Sequence, residues 1–328
     1  MLGADLGTYS IKVVRISRGA VEEARQATCP AFPSRSSDDS RQLLRRIAQE
    51  RRWRGQQVWG SIKGTAVIPR LTKFPAMPEE DLRGAVALEA EEFVSRNWSQ
   101  MDFDYDVVEE LPDGKVRVLF VAAPRELSEE QVQCFKASGL YCGGITLDSL
   151  ALTNAFLHSA TDAQKEANVL LLNIGAQTTN IVLLNAGQLT VLRDVAFGGN
   201  DVNEAVMTDF NATFEEAEAI KLNAGEGGAQ LDGSVERAVE PLLRQVSRTI
   251  GYEARRREEA GDLSVCLFGG GSLAPGLDRQ IASGIDSPVE HFDPFPGLPV
   301  RCELPEDAGL RSCFAVAVGA ALTGEQEL

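Results

Sequence analysis

Three short stretches of this chain carry residue types suited to holding a polyanion. They are Asp5-Leu6-Gly7-Thr8, Asn173-Ile174-Gly175-Ala176 and Gly269-Gly270-Gly271-Ser272, and each leaves a short apolar run. Glycine lets backbone N–H groups approach a phosphate closely, and hydroxyls add hydrogen bonds without repelling its charge. Lys12 lies a little beyond the first turn and can meet a phosphate as a point charge. Asp5 is then placed to hold Mg2+ through its water shell, the way this ion is usually held. Taken singly, each turn is weak evidence, since a Gly-Gly-Gly run is also a plain bulge or helix entry. The chain contains neither G-x-x-x-x-G-K-[ST] nor G-x-G-x-x-G, so P-loop and Rossmann readings lack their marks.

The first two turns sit in matching surroundings. Leu2–Ile16 and Val169–Leu184 each run from apolar residues through a polar, glycine-containing turn into apolar residues again, the outline of a β-hairpin. Laid on one another, they set Asp5 on Asn173, Gly7 on Gly175, Ser10 on Thr178, and Val13-Val14 on Ile181-Val182. A duplicated fold with both hairpin tips aimed at one ligand follows. The Asp-to-Asn difference bears directly on metal chemistry, because an amide offers one neutral oxygen where a carboxylate offers charge.

Composition narrows the alternatives. The 328 residues are 44% hydrophobic and 24% charged, enough for two domains. A net charge of −16 argues against nucleic-acid binding, which needs clustered Lys and Arg. Two histidines, His158 and His291, leave almost no material for zinc sites or Ser-His-Asp chemistry. Six scattered cysteines without a C-x-x-C pair read as reduced thiols. The first residues already read as a strand rather than a signal peptide, and Cys313–Leu322 is short of the roughly 20 residues that span a bilayer. A cytoplasmic protein is expected.

The elements that must position these residues can be laid out in order. A Pro/Ser-rich loop, Thr28–Asp39, precedes a basic helix in a stretch, Arg35–Arg54, with seven arginines against three acids. That stretch reads as a solvated helix face or as a docking face for an acidic partner or lipid headgroups. Gln57–Ile62 reads as a strand. From Thr65 to Leu147 the order is β-α-β-β-α-β, the pattern of a ferredoxin-like module, inserted between parts of the duplicated fold. A helix, Asp148–Ser159, leads to the second hairpin and a further strand pair, Gln188–Ala196. Gly198-Gly199-Asn200-Asp201 turns into helix Val202–Asp209. A helix F-E-E-A-E-A-I-K-L, a Gly-rich turn from Gly225 to Gly233 and a long helix, Val235–Glu259, follow. Strand Leu263–Phe268 breaks at the third glycine turn, and helix Phe314–Leu322 closes the chain.

With these residues in place the chain resembles the actin-like ATPases, and within them the PilM family of type IV pilus assembly proteins, relatives of FtsA. A-D-L-G-T-Y-S-I-K resembles the phosphate-1 motif, L-N-I-G-A-Q-T-T-N-I-V the phosphate-2 motif and L-F-G-G-G-S-L-A-P-G-L the adenosine motif. F-P-A-M-P-E-E-D-L, V-A-A-P-R-E-L, L-D-S-L-A-L, F-E-E-A-E-A-I-K and P-V-E-H-F-D-P-F are similar to PilM in particular. The resemblance implies an α/β, actin-like (ribonuclease H-like, duplicated) fold in two domains. In it, 1–64 and 148–165 form the first subdomain, 65–147 the inserted one, and 166–328 the second domain. That domain carries a smaller subdomain at about 200–262, and its last helix, about 313–323, returns to the first domain.

It further implies ATP with Mg2+ in the cleft between the halves. Asp5 would order the metal, Lys12 would touch the β-phosphate, and Thr178 and Thr179 would cradle the terminal phosphate alongside Gly7, Thr8 and Gly175. Glu218 and Lys221 would flank ribose and adenine together with Gly199, Gly270, Gly271 and Ser272. Spacing alone reads the Glu218–Lys221 pair equally as a surface ion pair. Asp148 would orient the attacking water, a role compatible with capping its helix. Asn173 stands where the family's motif normally has Asp, so hydrolysis is expected to be slow or absent. By the same resemblance, the N-terminal peptide of a PilN-like inner-membrane protein would dock between the first and inserted subdomains, other pilus assembly components would join, and the membrane would be reached only through the partner. The competing expectations are an active ATPase or phosphotransferase, with Asp148 or Asp201 as base, and an FtsA-like filament.

Overall fold

The computed structural model describes residues 1–29, 37–94, 98–222, 228–256 and 262–326. The first half runs β1 (Leu2–Leu6), β2 (Ser10–Ser17), β3 (Ala20–Thr28), α1 (Ser37–Glu50), β4 (Gln57–Ile62), β5 (Ile68–Pro75), α2 (Glu79–Val94), β6 (Met101–Glu110), β7 (Lys115–Pro124), α3 (Arg125–Ala137), β8 (Tyr141–Leu147) and α4 (Asp148–Ser159). The second half runs α5 (Asp162–Glu166), β9 (Asn168–Ile174), β10 (Thr179–Asn185), β11 (Gln188–Val195), α6 (Gly199–Phe210), α7 (Phe214–Leu222), α8 (Gly228–Arg256), β12 (Leu263–Phe268), α9 (Leu277–Ile285), β13 (Val289–His291), α10 (Ala308–Ser312) and α11 (Ala315–Gln326). The Pro/Ser-rich loop falls largely outside the described residues, as do the first residues of the expected Gly-rich turn and the expected last residues of the long helix. Residues 228–233 of that turn are already part of α8.

Two five-stranded sheets have one design. The first has the order β3-β2-β1-β4-β8 and the second β11-β10-β9-β12-β13. In each, a meander of three antiparallel strands is extended by two parallel ones. The duplication seen in the hairpins therefore covers whole sheets. It includes β3, whose polar sequence A-V-E-E-A-R-Q-A-T hides an edge strand, and β11, a single strand where a pair was expected.

One apolar core joins the halves. Val14 and Ile16 of the first sheet, Leu171 and Val182 of the second, Leu152 and Phe156 of α4, and Ala317, Val318 and Ala321 of α11 belong to one buried cluster. The small residues of α11 permit a very close approach to α4. A Cβ on Gly319 would stand 1.7 Å from the carbonyl oxygen of Ala151, a distance no packed atom tolerates. The closing helix thus lies against α4 and β1 of the first half.

The ferredoxin-like insert is corrected. Its expected last strand, β8, pairs in parallel with β4 of the first sheet instead. Gly143 and Gly144 allow this, since they lie where the Trp59 ring leaves no room for a Cβ. The expected second helix, α3, buries Phe135 and Cys134 among Leu44, Trp53 and Val58 of the first half. What remains is β5-α2-β6-β7, a three-stranded antiparallel sheet in the order β5-β7-β6 with one helix packed on it. Element order alone reads the same whichever sheet the last strand joins.

Candidate functional site

The turns between β1 and β2, between β9 and β10, and after β12 converge on one cavity of about 270 Å³. Gly7, Thr8 and Lys12 line it from the first sheet, and Asn173, Gly175 and Thr178 from the second. Gly199, Glu218 and Lys221 close one end with Gly270 and Gly271. The turns touch through backbone: a Cβ on Gly271 would lie 2.4 Å from the carbonyl oxygen of Gly175, so only glycine fits there. Gly269, at φ +80°, turns the chain out of β12 in a conformation that favours glycine.

Four charged side chains meet on the first-sheet side. Asp5 and Lys12 are register partners on β1 and β2, and Lys12 Nζ donates to Asp5 Oδ2 at 3.1 Å. Lys63, the residue after β4, donates to Asp148 Oδ2 at 2.7 Å and reaches Asp5 Oδ1 at 3.5 Å. Asp5 and Asp148 are 5% and 1% exposed. Burial by itself would raise the Asp5 carboxyl, but Lys12 and then Lys63 outweigh it and hold it below the usual carboxylate range. Burial likewise opposes the Lys63 ammonium, and Asp148, then Asp5, overcome that and raise it above an ordinary lysine.

The second-sheet copy is built from amides. Asn173 and Asn180 are the register partners that match Asp5 and Lys12. Asn173 Nδ2 donates to Asn180 Oδ1 at 2.7 Å, and Asn180 Nδ2 donates to Asp194 Oδ1 at 2.7 Å. Asp194 Oδ2 in turn accepts the backbone N–H of Gly64 at 2.7 Å. This chain ties β9, β10 and β11 of the second half to the β4–β5 turn of the first. Burial pushes the Asp194 carboxyl up, against the donors Asn180 and Gly64.

Several expected site residues do not face the cavity. Thr179 is fully buried and donates to the carbonyl of Phe197 at 2.9 Å, so only Thr178 of that pair points to the cleft. Ser272 Oγ donates to the carbonyl of Gly269 at 2.7 Å and pins the third turn from beneath. Asp148 is reached only through Lys63. Asp201 accepts the N–H of Gly198 at 2.8 Å as part of the start of α6 and does not line the cavity.

Glu218 and Lys221 form no surface pair. Lys221 Nζ donates to Glu218 Oε2 at 2.7 Å while largely buried, and Asn203 Nδ2 donates to the same oxygen at 2.6 Å. Sequence reasoning missed Lys63, Asn180 and Asp194. The hairpin alignment sets Asn180 on Lys12, between the matched pairs Ser10–Thr178 and Val13–Ile181.

These residues fit a nucleoside polyphosphate. Glycine-bearing turns from three directions line the cavity without a crowding Cβ, and Lys12 and Lys221 bring ammonium groups to it. They do not fit the expected Mg2+. Both oxygens of Asp5 are engaged by lysines, Asp148 is held by Lys63, and Asn173 is an amide turned toward Asn180. Among the described residues no group of three or more His, Cys, Asp or Glu is placed to hold a metal.

A second, more open pocket of about 470 Å³ adjoins the cleft at Asp5, Thr8, Lys63 and Gln177. Its far wall is Ser40 and Arg41 of α1, Ser61 and Ile62 of β4, and Leu127, Glu130 and Gln131 of α3. Ser40 Oγ, Ser61 Oγ and Gln131 Oε1 are buried there without a hydrogen-bond partner.

None of the six cysteines forms a disulfide, and four are buried. Among the described residues no helix is long and apolar enough to cross a membrane.

Comparison with known proteins agrees with this architecture. Cell division protein FtsA of Enterococcus hirae is 24% identical over 234 residues, covering 64% of this chain and 51% of FtsA. FtsA of Enterococcus faecalis is 23% identical over 214 residues, covering 58% and 45%. The chain thus spans about half the length of the curated relatives it matches. Among solved structures, a PilM-PilN type IV pilus biogenesis complex aligns with TM-score 0.84 at 24% identity over 98% of both chains. EutJ of Carboxydothermus hydrogenoformans aligns with TM-score 0.55 at 15% identity, over 98% of this chain and 88% of its own. MreB5 of Spiroplasma citri bound to ADP aligns with TM-score 0.52 at 12% identity, over 99% and 96%. These likenesses establish an actin-like fold. The model of the family described as type IV pilus assembly protein PilM matches residues 3–325, and the chain belongs to that family.

Proposed function

We propose that this chain is a nucleotide-binding scaffold of a type IV pilus or related secretion machine. It holds ATP in the cleft, turns it over slowly or not at all, and docks the N-terminal peptide of a PilN-like inner-membrane protein. The observation that carries the nucleotide half is the meeting of three glycine turns, from both sheets, on one cavity closed by the buried Glu218–Lys221 pair. Slow turnover is supported by Asn173 and by the engagement of Asp148 with Lys63. Hydrolysis needs a water positioned in line with the phosphate, and neither residue offers a free carboxylate for that.

The peptide half is supported by the open pocket between α1, β4 and α3, walled by Ser40, Arg41, Glu130 and Gln131. A PilN-type partner is consistent with the relative solved as a PilM-PilN complex. The protein would sit at the cytoplasmic face of the inner membrane through that partner, with other assembly components around it.

Calorimetric titration of the purified chain with ATP, and separately with a synthetic N-terminal peptide of the candidate partner, tests both halves. Saturable binding of each is expected. Turnover on the order of one per second, typical of working phosphotransferases, would overturn the scaffold reading.

A further inference from the structure

We infer that Lys63 supplies from within the chain the positive charge that a divalent cation would bring between Asp5 and Asp148, so that nucleotide phosphates bind here without a metal requirement. The inference rests on the nucleotide reading of the cleft and concerns how that site is charged. Lys63 Nζ lies 2.7 Å from Asp148 Oδ2 and 3.5 Å from Asp5 Oδ1, the bridging place of a shared cation. Lys12 Nζ covers the other Asp5 oxygen at 3.1 Å. Two carboxylates and two ammoniums make a cluster of no net charge.

A dication entering that cluster would have to displace Lys63 from both acids and shed water, which Mg2+ does reluctantly. The lysine is also fixed from behind. The next residue, Gly64, takes φ +124° and gives its N–H to Asp194 of the opposite half at 2.7 Å. In the second-sheet copy Asn173 and Asn180 stand where Asp5 and Lys12 stand in the first, and the nearby Asp194 carboxylate is taken up by Asn180 and the Gly64 N–H. The phosphate end of the cleft therefore presents Lys12 and Lys63 as its resident cations.

The test is the affinity for ATP of the intact chain in excess EDTA and in excess Mg2+, measured by calorimetry. The two dissociation constants are expected within threefold of each other. Lys63→Met is expected to lose at least tenfold in EDTA and to recover most of that loss on adding Mg2+, while Lys63→Arg keeps the EDTA affinity. A wild-type chain that binds with Mg2+ and loses tenfold or more in EDTA would overturn the inference and leave the nucleotide reading intact. So would a Lys63→Met chain that binds equally well in EDTA. Absence of binding in both media would instead remove the nucleotide reading itself. If Lys63→Met fails to fold by circular dichroism, the wild-type comparison decides alone.

Discussion

Replacing Asn173 with Asp probes the amide chain that crosses the two halves. The substitution is isosteric, so its cost is electrostatic. Asn173 is 8% exposed, and its Nδ2 gives the 2.7 Å bond to Asn180 Oδ1. A carboxylate there meets the Asn180 carbonyl oxygen, acceptor against acceptor. Turning Asn180 over restores that contact only by taking its Nδ2 away from Asp194, which already loses by burial. One hydrogen bond lost, about 1 kcal/mol, and one buried charged acceptor left unpaired, about 1–3 kcal/mol, sum to about 2–4 kcal/mol. At about 2.1 cal/mol/K per residue, a chain of 328 residues shifts by roughly 1.5 °C per kcal/mol, so the unfolding midpoint falls by roughly 3–6 °C.

The double variant Asn173→Asp with Asp194→Asn reverses the chain. The backbone N–H of Gly64 then donates to the amide oxygen introduced at position 194, and the new amide nitrogen there donates to Asn180 Oδ1. Asn180 Nδ2 in turn donates to the new carboxylate at position 173. Every bond is kept, and at least half of the loss should return. Thermal unfolding of wild type, both single variants and the double variant at neutral pH gives the coupling. A single Asn173→Asp variant within about 0.5 kcal/mol of wild type, or a double variant no more stable than that single one, would show that the amide chain does not bind the halves together.

Other outcomes follow from the same geometry. Glu130→Arg reverses a charge on the wall of the second pocket and should weaken the partner peptide at least tenfold by calorimetry, with ATP affinity unchanged; equal peptide affinity would exclude that pocket. The folded Asp5 pKa lies below its unfolded value, so the stability it contributes is present above about 4 and disappears as pH falls through the folded value. The stability gap between wild type and Asp5→Asn, followed by denaturant unfolding from pH 6 downward, should close only below about pH 4, and a gap already closed at pH 6 would contradict the lysine clamp.

How much of this was legible in the sequence depends on how far each signal reaches along the chain. The glycine turns were readable because the need for glycine near a phosphate is local, and the two hairpins were readable because they repeat. Thr179 was misassigned because strand alternation begins at that residue and points it into the core, while Thr178 still belongs to the turn. Lys63 carried no local mark. It matters only because β4 pairs beside β1 and brings its end next to Asp5. The ferredoxin-like reading failed for the same reason: β8 joins the first sheet where its Gly143 and Gly144 make room for Trp59 of β4, which is far from β8 in sequence. The meaning of Asn173 also changed. It is one end of a built amide chain, so a carboxylate there alone would not recreate a metal site while Lys63 bridges Asp5 and Asp148.

Whether the convergent turns hold a nucleotide is decided by titrating ATP into wild type and Gly271→Val in parallel. A Cβ at Gly271 would stand 2.4 Å from the carbonyl oxygen of Gly175 and force the third turn away from the second. A single saturable site is expected in wild type and at least a tenfold loss in the variant, with the fold retained by circular dichroism. No saturable binding in wild type, or equal affinity in a folded Gly271→Val chain, would contradict a nucleotide site there.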